Sequence, residues 1–318
     1  MSALLQDRPQ AALPPPPEGV EETWGGPAFP QEPSSALPRA AAASLALRGI
    51  AYRRILPPTR AGGCDLQAGA RRLGRWIGEE ARRCAQGQAP ADDYVITSTI
   101  LSPHLMDGDE LGREFRAAIA ARAPRAVDWL THGYECAGWG FVLRYIRAKA
   151  AASGPRRLML QIVDVDIHEF SYWLGNPHWG DSGFGICTLL LDIGAGLDDA
   201  VQLGTASQAN AMVQMGRSLR QFALRRPGVR VAVPFFRDAS RRVLLKCIDP
   251  AQPHPDGYER FGHAFGSDPW ISLLLHLRES GACAGREAIV NSLALNGYFA
   301  IAAVSLHAQA VWRLEDGE

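Results

Sequence analysis

Residues 126–166 read AVDWLTHGYECAGWGFVLRYIRAKAAASGPRRLMLQIVDVD. A short apolar run opens this stretch, an apolar helical pattern starts at Phe141, and a second apolar run follows Pro155. This order predicts a strand, a helix and a second strand, which is the crossover unit of an α/β sheet. Cys136 lies at the first junction, where the positive end of the helix dipole favours thiolate over thiol. The stretch therefore predicts an α/β fold with a candidate nucleophile between a strand and a helix.

The same alternation continues on both sides of this stretch. Apolar runs and helical periodicities predict strands at 44–56, 92–102, 184–194 and 229–236, and helices at 65–87, 108–123, 206–226 and 268–282. Residues 287–308 hold two apolar strands around Asn296 and Gly297, a dipeptide typical of a hairpin. We expect a largely parallel sheet with helices on its faces, and the two α/β halves indicate an internal duplication.

Composition excludes several classes of function. Lys plus Arg equals Asp plus Glu at 33 each, so no overall field favours a nucleic acid or an anionic membrane. No run of about 18 uncharged apolar residues occurs, and the N-terminus lacks a secretory signal pattern. Six scattered cysteines show no zinc-ligand spacing and indicate reduced thiols. We therefore expect a globular, cytoplasmic protein with no bound metal.

The first part of the chain differs from the rest in composition. Nine of the 22 prolines precede residue 40, and such a segment buries too little apolar surface to offset the entropy of ordering it. We predict a disordered Pro-rich extension at 1–42, an N-terminal half at 43–200 and a C-terminal half at 201–318. Docking of the extension to a partner through polyproline II segments is the alternative.

Several motifs resemble one family in order and spacing over about residues 45–318. The stretch YECAGWGFVLRYIRAKAAASGPRRLMLQIVDVDI resembles the active-site segment of thiolase-like condensing enzymes, especially β-ketoacyl-acyl-carrier-protein synthase III, in which the cysteine of CAGF accepts the acyl group. WGDSGFGICTLLLDIG resembles the family's FGDGAGA loop and following strand, and GHAFGSDP takes the place of its GNTSAAS segment. LALNGYFAIAAVSL resembles the terminal glycine-turn hairpin, and LRGIAYRRILPP the opening strand.

This resemblance implies a five-layered αβαβα thiolase-like fold built from two βαβαβ-type halves. It implies an acyltransferase that takes an acyl group from an acyl-carrier-protein or CoA thioester onto Cys136 and passes it to a carbon, oxygen or nitrogen acceptor. The backbone N–H groups of Cys136 and Tyr298, the latter just after Gly297, would form the oxyanion hole. The resemblance further implies a homodimer, or a heterodimer with another thiolase-like chain, and no cofactor.

Two positions depart from the family pattern. Phe235 of VAVPFF stands where the family has a catalytic histidine, and His263 of FGHAFGS stands where it has an asparagine. We expect a Cys136–His263 dyad with His263 as general base, and weaker decarboxylative condensation than simple acyl transfer. A non-catalytic subunit of a heterodimeric condensing enzyme is the alternative. We expect substrate contacts from a further set of residues, Trp139, Trp179, Phe235 and Gly297.

Other candidate sites find less support. GDSGFG resembles a serine-protease motif around Ser182 without the rest of that machinery, and its glycines indicate a tight turn that supports the acyl site. A metal site at His168, Glu169 and His178 lacks the spacing of a zinc signature. His132 is an alternative base close to Cys136 in sequence, and the glycines are too few for a dinucleotide cradle.

Overall fold

The computed structural model describes residues 45–55, 65–168, 171–177, 179–194, 198–249, 252–280 and 286–315, so the predicted extension at 1–42 lies outside the described residues. The strands are β1 (Leu45–Arg54), β2 (Asp93–Thr97), β3 (Trp129–Thr131), β4 (Arg156–Asp164), β5 (Gly175–Asn176), β6 (Gly180–Asp181), β7 (Gly185–Ile193), β8 (Val201–Thr205), β9 (Arg230–Ala232), β10 (Glu287–Leu293) and β11 (Tyr298–Glu315). The helices are α1 (Leu66–Ala85), α2 (Pro103–Met106), α3 (Glu110–Ala120), α4 (Gly138–Ser153), α5 (Ser171–Leu174), α6 (Ala211–Leu224), α7 (Asp238–Leu245), α8 (Tyr258–Phe261) and α9 (Asp268–Ser280).

Nine strands form one mixed sheet that contains the same arrangement twice. The order is β3-β2-β4-β7-β1-β11-β10-β9, and β8 pairs with β11 off this path. In the first repeat β2 and β4 are parallel, while β7 is antiparallel to both β4 and β1. In the second repeat β9 and β10 are parallel, while β11 is antiparallel to both β10 and β8. This topological repeat is the internal duplication that the order of elements indicated.

The expectation of a largely parallel sheet was wrong, because one strand in each repeat runs against its neighbours. A parallel pairing needs a crossover long enough to return the chain to the starting edge, usually through a helix. The chain enters β11 from β10 through a tight hairpin, and it enters β7 from β4 through a segment whose only described helix, α5, has four residues. Neither connection is a helical crossover, so both strands run antiparallel.

Helices separate and cover the two repeats in layers. Helices α1 and α3 pack on one face of the first repeat, where residues of β2, β4 and β7 complete their cluster. Helices α4 and α9 share the central cluster with strands of both repeats. Helix α6 packs on the far face of the second repeat, against β9, β10 and β11. The two repeats occupy two parts of the sheet, and α4 and α9 lie between these parts. The layers are therefore helix, sheet, helix, sheet and helix, as in the predicted five-layered fold.

Strand β11 joins the two repeats. Its first residues, Tyr298 to Ala302, pair with β8, and its later residues, Val304 to Glu315, pair in parallel with β1. One strand is thus hydrogen-bonded into both halves. The predicted division at residue 200 falls just before β8, and the boundaries 43–200 and 201–318 stay a prediction.

Two further findings concern expectations from composition. Among the described helices, none combines the length and the apolar character that crossing a bilayer requires. Cys84, Cys136, Cys187 and Cys247 are free thiols, and the remaining two cysteines lie outside the described residues.

Candidate active site

Cys136 lies at the junction that the sequence predicts, in a single 3₁₀ turn, Glu135–Ala137, directly before α4. The turn begins with Glu135 at φ 45°, a left-handed conformation that a non-glycine residue adopts at a cost and that is often found at functional sites. The thiol is 6% exposed and lines a cavity of about 590 Å³. Its sulfur accepts a hydrogen bond from the Thr99 hydroxyl at 3.7 Å. The strained turn thus presents the thiol to the cavity.

The electrostatic surroundings of Cys136 differ from the expectation of a favoured thiolate. Burial raises the pKa of the thiol well above its ordinary value, and the nearby carboxylates of Asp164, Asp268 and Glu135 raise it further. The hydrogen bond from Thr99 acts in the opposite direction. Desolvation and three like charges therefore outweigh the start of α4, and the resting group is the neutral thiol.

Asp164, at the end of β4, organises the backbone around Cys136. Its buried carboxylate accepts hydrogen bonds from the N–H of Thr99 at 2.7 Å, the N–H of Gly266 at 3.2 Å and the hydroxyl of Ser98 at 3.3 Å. Burial raises the pKa of Asp164 to about 6 despite these donors. One carboxylate thus fixes the loop after β2 and the turn before α9 next to Cys136.

His263 lies five residues before Asp268, the first residue of α9, and lines the same cavity as Cys136. Its Nδ1 lies 2.6 Å from Asp268 Oδ2 and 3.1 Å from the carbonyl oxygen of Phe235. Both neighbours are acceptors, so Nδ1 carries the proton and Nε2 keeps its lone pair in the neutral ring. The buried Asp268 also accepts from the N–H groups of Phe235 and Ala264, which holds the carboxylate in place. Sequence reasoning predicted a dyad, and the structure adds Asp268 behind the histidine.

The turn in GDSGFG supports His263 as the sequence predicted. Gly183 donates its N–H to the His263 carbonyl at 2.9 Å, and His263 donates its own N–H to the Asp181 carbonyl at 2.8 Å. A Cβ on Gly183 would lie 1.9 Å from the Phe261 carbonyl oxygen, so only glycine allows this approach. The Ser182 hydroxyl accepts from the Trp179 indole at 2.9 Å, an orienting contact and not a catalytic triad.

The two central helices begin in the same way. The turn Phe265–Ser267 before α9 starts with Phe265 at φ 52°, just as the turn before α4 starts with Glu135 at φ 45°. In this repeat Gly266 corresponds to Cys136, and a Cβ on Gly266 would lie 3.2 Å from the Cys136 carbonyl oxygen. The duplicated helix starts therefore meet each other beside the cavity, with Cys136 in one turn and Gly266 in the other.

Aromatic rings form much of the cavity wall. The ring centroid of His263 lies 5.1 Å from Phe265, 5.3 Å from Phe236 and 6.0 Å from Trp179. Among the described lining residues there is no lysine or arginine, and Glu135 carries the charge closest in sequence to the nucleophile. The site therefore suits an apolar or planar group and disfavours an anion.

Two predicted substrate contacts lie elsewhere. Trp139 is fully buried in the central cluster, and its indole donates to the Ser292 hydroxyl at 2.8 Å. Phe235 is also fully buried, with its ring against Gly257. Its backbone N–H donates to Asp268 and its carbonyl oxygen contacts His263 Nδ1, and these two contacts fix the direction of its side chain. Strand-like alternation then turns the next side chain, Phe236, toward the cavity.

The hairpin loop places Gly297 and Tyr298 behind the cavity wall. Gly297 adopts φ 88° and donates to the Ala294 carbonyl at 3.0 Å. The N–H of Tyr298 donates to Asn296 Oδ1 at 3.3 Å, and its ring packs edge-on against Tyr134. The oxyanion role of Tyr298 stays a prediction, and it requires the Asn296 contact to open.

The alternative histidines His132 and His168 do not line the cavity of Cys136. His132 is exposed, with Nδ1 2.9 Å from the Met106 sulfur, and His168 Nε2 lies 2.8 Å from the Ser102 hydroxyl. Glu169 and His178 lie outside the described residues, and the described ones contain no metal-binding group of three His, Cys, Asp or Glu side chains.

Sequence reasoning missed the residues that act on others, chiefly Thr99, Asp164, Asp268 and Phe236. In the sequence Asp164 alternates with Asp166 at the end of a predicted strand, and this pattern does not distinguish a buried carboxylate from one that faces a loop. The one available signal was Asp268-Pro269 at the start of a predicted helix, which is typical of a helix N-terminus. Nothing in the sequence places its carboxylate on His263.

Comparisons with known proteins support the fold. No protein-family model and no curated protein sequence matches the chain. Solved structures do match. The 3-oxoacyl-(acyl carrier protein) synthase III, FabH, from Pseudomonas aeruginosa PAO1 aligns with a TM-score of 0.58 at 14% identity, covering 83% of this chain and 99% of that one. ChlB3, described as an acyltransferase, aligns with a TM-score of 0.59 at 12% identity over 84% and 99% of the two chains.

A third structure is the priming β-ketosynthase from the R1128 polyketide biosynthetic pathway, with a TM-score of 0.53 at 15% identity over 86% and 99% of the two chains. All three enzymes are matched over nearly their full length. Together with the duplicated sheet and the five layers, these matches show that the chain has the thiolase-like α/β fold, in the form found in 3-oxoacyl-(acyl carrier protein) synthase III and polyketide condensing enzymes.

Proposed function

We propose that the protein is an acyltransferase that carries its acyl group on Cys136. The observation that supports this most directly is the shared cavity, which brings the Cys136 thiol together with a histidine whose Nδ1 proton is held by Asp268. A cysteine paired with a histidine that a third group orients is the usual constellation of covalent acyl transfer. The matched enzymes are named as acyl-carrier-protein synthases and an acyltransferase, which agrees with a thioester donor.

The reaction has two balanced steps. In the first, the Cys136 proton goes to His263 Nε2, the sulfur attacks the thioester carbonyl, and the donor thiol leaves with that proton. In the second, the acceptor attacks the S-acyl carbonyl, gives its proton to His263, and Cys136 leaves and regains the proton. The raised pKa of Cys136 makes this local base necessary, because free thiolate is scarce at neutral pH.

The charge of the cavity bears on the acceptor. A malonyl group brings a carboxylate, and the described lining offers Glu135 and no lysine or arginine to receive it. The ring of Phe236 lies 5.3 Å from that of His263, and it occupies the place of a second polar group that could hold a malonyl thioester together with His263. We therefore propose a neutral oxygen or nitrogen nucleophile as the acceptor, in fatty-acid-like or polyketide secondary metabolism.

Intact-protein mass tests the covalent step. The wild type, Cys136→Ala and Cys247→Ala are incubated with acetyl-, hexanoyl- and benzoyl-CoA and with the matching acyl-carrier-protein thioesters. We expect one acyl adduct on the wild type and on Cys247→Ala, whose mutated thiol is the more exposed one, and none on Cys136→Ala. Absence of any adduct on the folded wild type would favour the alternative, a structural subunit of a heterodimeric condensing enzyme.

A pair of variants tests the acceptor. Phe236→His adds an imidazole to the cavity, whereas the matched Phe235→His places one in the buried cluster. We expect release of CO₂ from malonyl-acyl-carrier protein to rise in Phe236→His relative to the wild type, and transfer to hydroxylamine to dominate in the wild type. Efficient release of CO₂ by the wild type would contradict our choice of acceptor.

A further inference from the structure

A second cavity, of about 390 Å³, lies on the second repeat between α9, the edge strand β9 and the start of β10. It shares no lining residue with the cavity of Cys136. One wall is apolar and consists of Leu273, Leu277, Ala288, Val304 and Leu306. The opposite part is polar and is formed by Arg230, His254, His276, Arg286 and Glu287.

His254 is the most unusual group in this cavity. Its side chain is 4% exposed, yet neither ring nitrogen has a hydrogen-bond partner among the residues that the structure describes. Its backbone is fixed, since its N–H donates to the Val231 carbonyl at 2.9 Å. A buried polar group without a partner destabilises the folded state, and in native proteins such groups generally serve a ligand, an ion or a water.

The charges around His254 are positive. Arg230 Nη2 donates to the Pro253 carbonyl at 2.6 Å and Nη1 lies 3.4 Å from His276 Nδ1, while the buried Nε has no partner within the described part of the chain. Arg286 lines the opening. The acidic neighbour, Glu287, is engaged by Arg226 at 3.2 Å and does not neutralise Arg230.

The titration behaviour of the two histidines agrees with a positive field. Burial, followed by the charges of His276 and Arg230, lowers the pKa of His254 to about 3. Burial, followed by Arg230 and Arg286, lowers the pKa of His276, and Glu279 opposes this shift. The rings of the two histidines lie 4.6 Å apart. A bound anion would attract the positive charges of Arg230, Arg286 and a protonated histidine, which otherwise repel one another.

We propose that this cavity binds the carboxylate of a small aliphatic acid. The carboxylate lies at Arg230, His254 and Arg286, since a guanidinium matches a carboxylate in charge and in planar geometry. The aliphatic part lies on the apolar wall. An apolar pocket with a few convergent polar groups is the usual form of a small-molecule site. This inference does not depend on the function proposed for Cys136.

Calorimetric titration with hexanoate tests the proposal, with Cys136→Ala as the parent protein so that acyl chemistry at the first cavity plays no part. We expect one site per chain. We expect Arg286→Gln, a change at an exposed residue, and His254→Leu to weaken binding about tenfold or more, since each removes a hydrogen bond to a charged group. Arg220→Gln, an exposed arginine of α6 away from the cavity, serves as the matched control and should bind as the parent does.

Two other probes separate the contributions. If 1-hexanol binds as tightly as hexanoate, the charged groups of the cavity do not contribute to binding. If inorganic phosphate binds as tightly as hexanoate, the apolar wall does not contribute. Either result overturns the proposal. Histidine side-chain NMR on the parent protein gives a readout that needs no folded variant of His254. Hexanoate should shift two ring resonances, those of His254 and His276, and unchanged resonances would also overturn the proposal.

Discussion

At the scale of single residues, the site combines strain, burial and negative charge around one thiol. Glu135 holds a left-handed backbone conformation, and Asp164 and Asp268 are buried carboxylates that contact backbone N–H groups. Each of these features costs folding free energy. Such features concentrated around one cavity are typical of a functional site.

The Asp268→Asn variant tests the positioning of His263. An asparagine amide does not hold the Nδ1 proton of His263 as a carboxylate does. The tautomer with the proton on Nδ1 is then no longer favoured, and the protonated imidazolium loses a stabilising negative charge. We expect the acyl-transfer rate to fall about 100-fold or more, with a smaller change in KM. Asp268→Glu should recover part of the rate. An unchanged kcat in a folded Asp268→Asn protein would contradict the positioning role of Asp268.

The Asp164→Asn variant tests the origin of the raised pKa of Cys136. Removing a negative charge near the sulfur lowers the pKa of the thiol, so more thiolate exists at a given pH. We expect the pH profile of iodoacetamide alkylation at Cys136 to shift to lower pH and the rate at pH 8 to rise severalfold. Alkylation of Cys247 in the same sample is the internal control. A shift to higher pH would contradict this electrostatic account.

At the scale of elements, close packing of helices fixes the layers that carry the site. Helix α1 begins directly after its N-cap Asp65, whose side chain accepts from the Ala68 N–H at 3.0 Å. Its glycines allow α3 to approach closely, since a Cβ on Gly78 would lie 2.5 Å from the Ile119 carbonyl oxygen. The periodicity of α1 predicted the helix, but it did not indicate which glycines face a neighbour.

A pair of glycine variants on α1 tests this packing. Gly78→Ala should lower the free energy of unfolding by about 1–3 kcal/mol, because the backbone of α3 must move away from the added methyl group. Gly69→Ala adds the same methyl group where no atom lies within 4 Å, and it should be neutral or stabilising by up to about 1 kcal/mol. Urea unfolding measures both. Equal effects of the two changes would show that α1 and α3 are not in close contact.

At the scale of the whole molecule, the two repeats share one sheet through β11. An isolated fragment of residues 43–200 would leave the edge of β1 unpaired and the central cluster without α9. We expect this fragment to aggregate or to lack a cooperative unfolding transition, and to gain structure when residues 201–318 are co-expressed. A fragment that unfolds cooperatively by itself would show that the two halves are independent domains.

The pH dependence of global stability follows from His254. The pKa of His254 is about 3 in the folded chain, below the ordinary value of 6.5. As the pH falls below 6.5, His254 therefore binds a proton in the unfolded chain but not in the folded chain. The free energy of unfolding decreases as a result. Between pH 7 and pH 5 we expect the wild type to lose about 2 kcal/mol more than His254→Leu. His104→Gln, at an exposed histidine, should behave as the wild type does. Urea unfolding at the two pH values measures the difference.

The sequence by itself determined the elements, the fold family they resemble and the junction that holds Cys136. These properties depend on local periodicity, turn residues and motif order, which are present in the chain before it folds. The structure confirms the strand–helix junction, the Asn296-Gly297 hairpin and the turn that supports His263.

Only the tertiary structure decided the direction of β7, the exchange of Phe235 for Phe236 at the cavity, and the contacts that Asp164 and Asp268 make. Asp164 lies 102 residues from Gly266 in sequence, and its hydrogen bond depends on how the two central helix starts meet. Burial, charge and hydrogen bonding at a site depend on many neighbours that are remote in sequence. Local sequence patterns carry no information about these neighbours, so the properties of the site arise only when the repeats pack against each other.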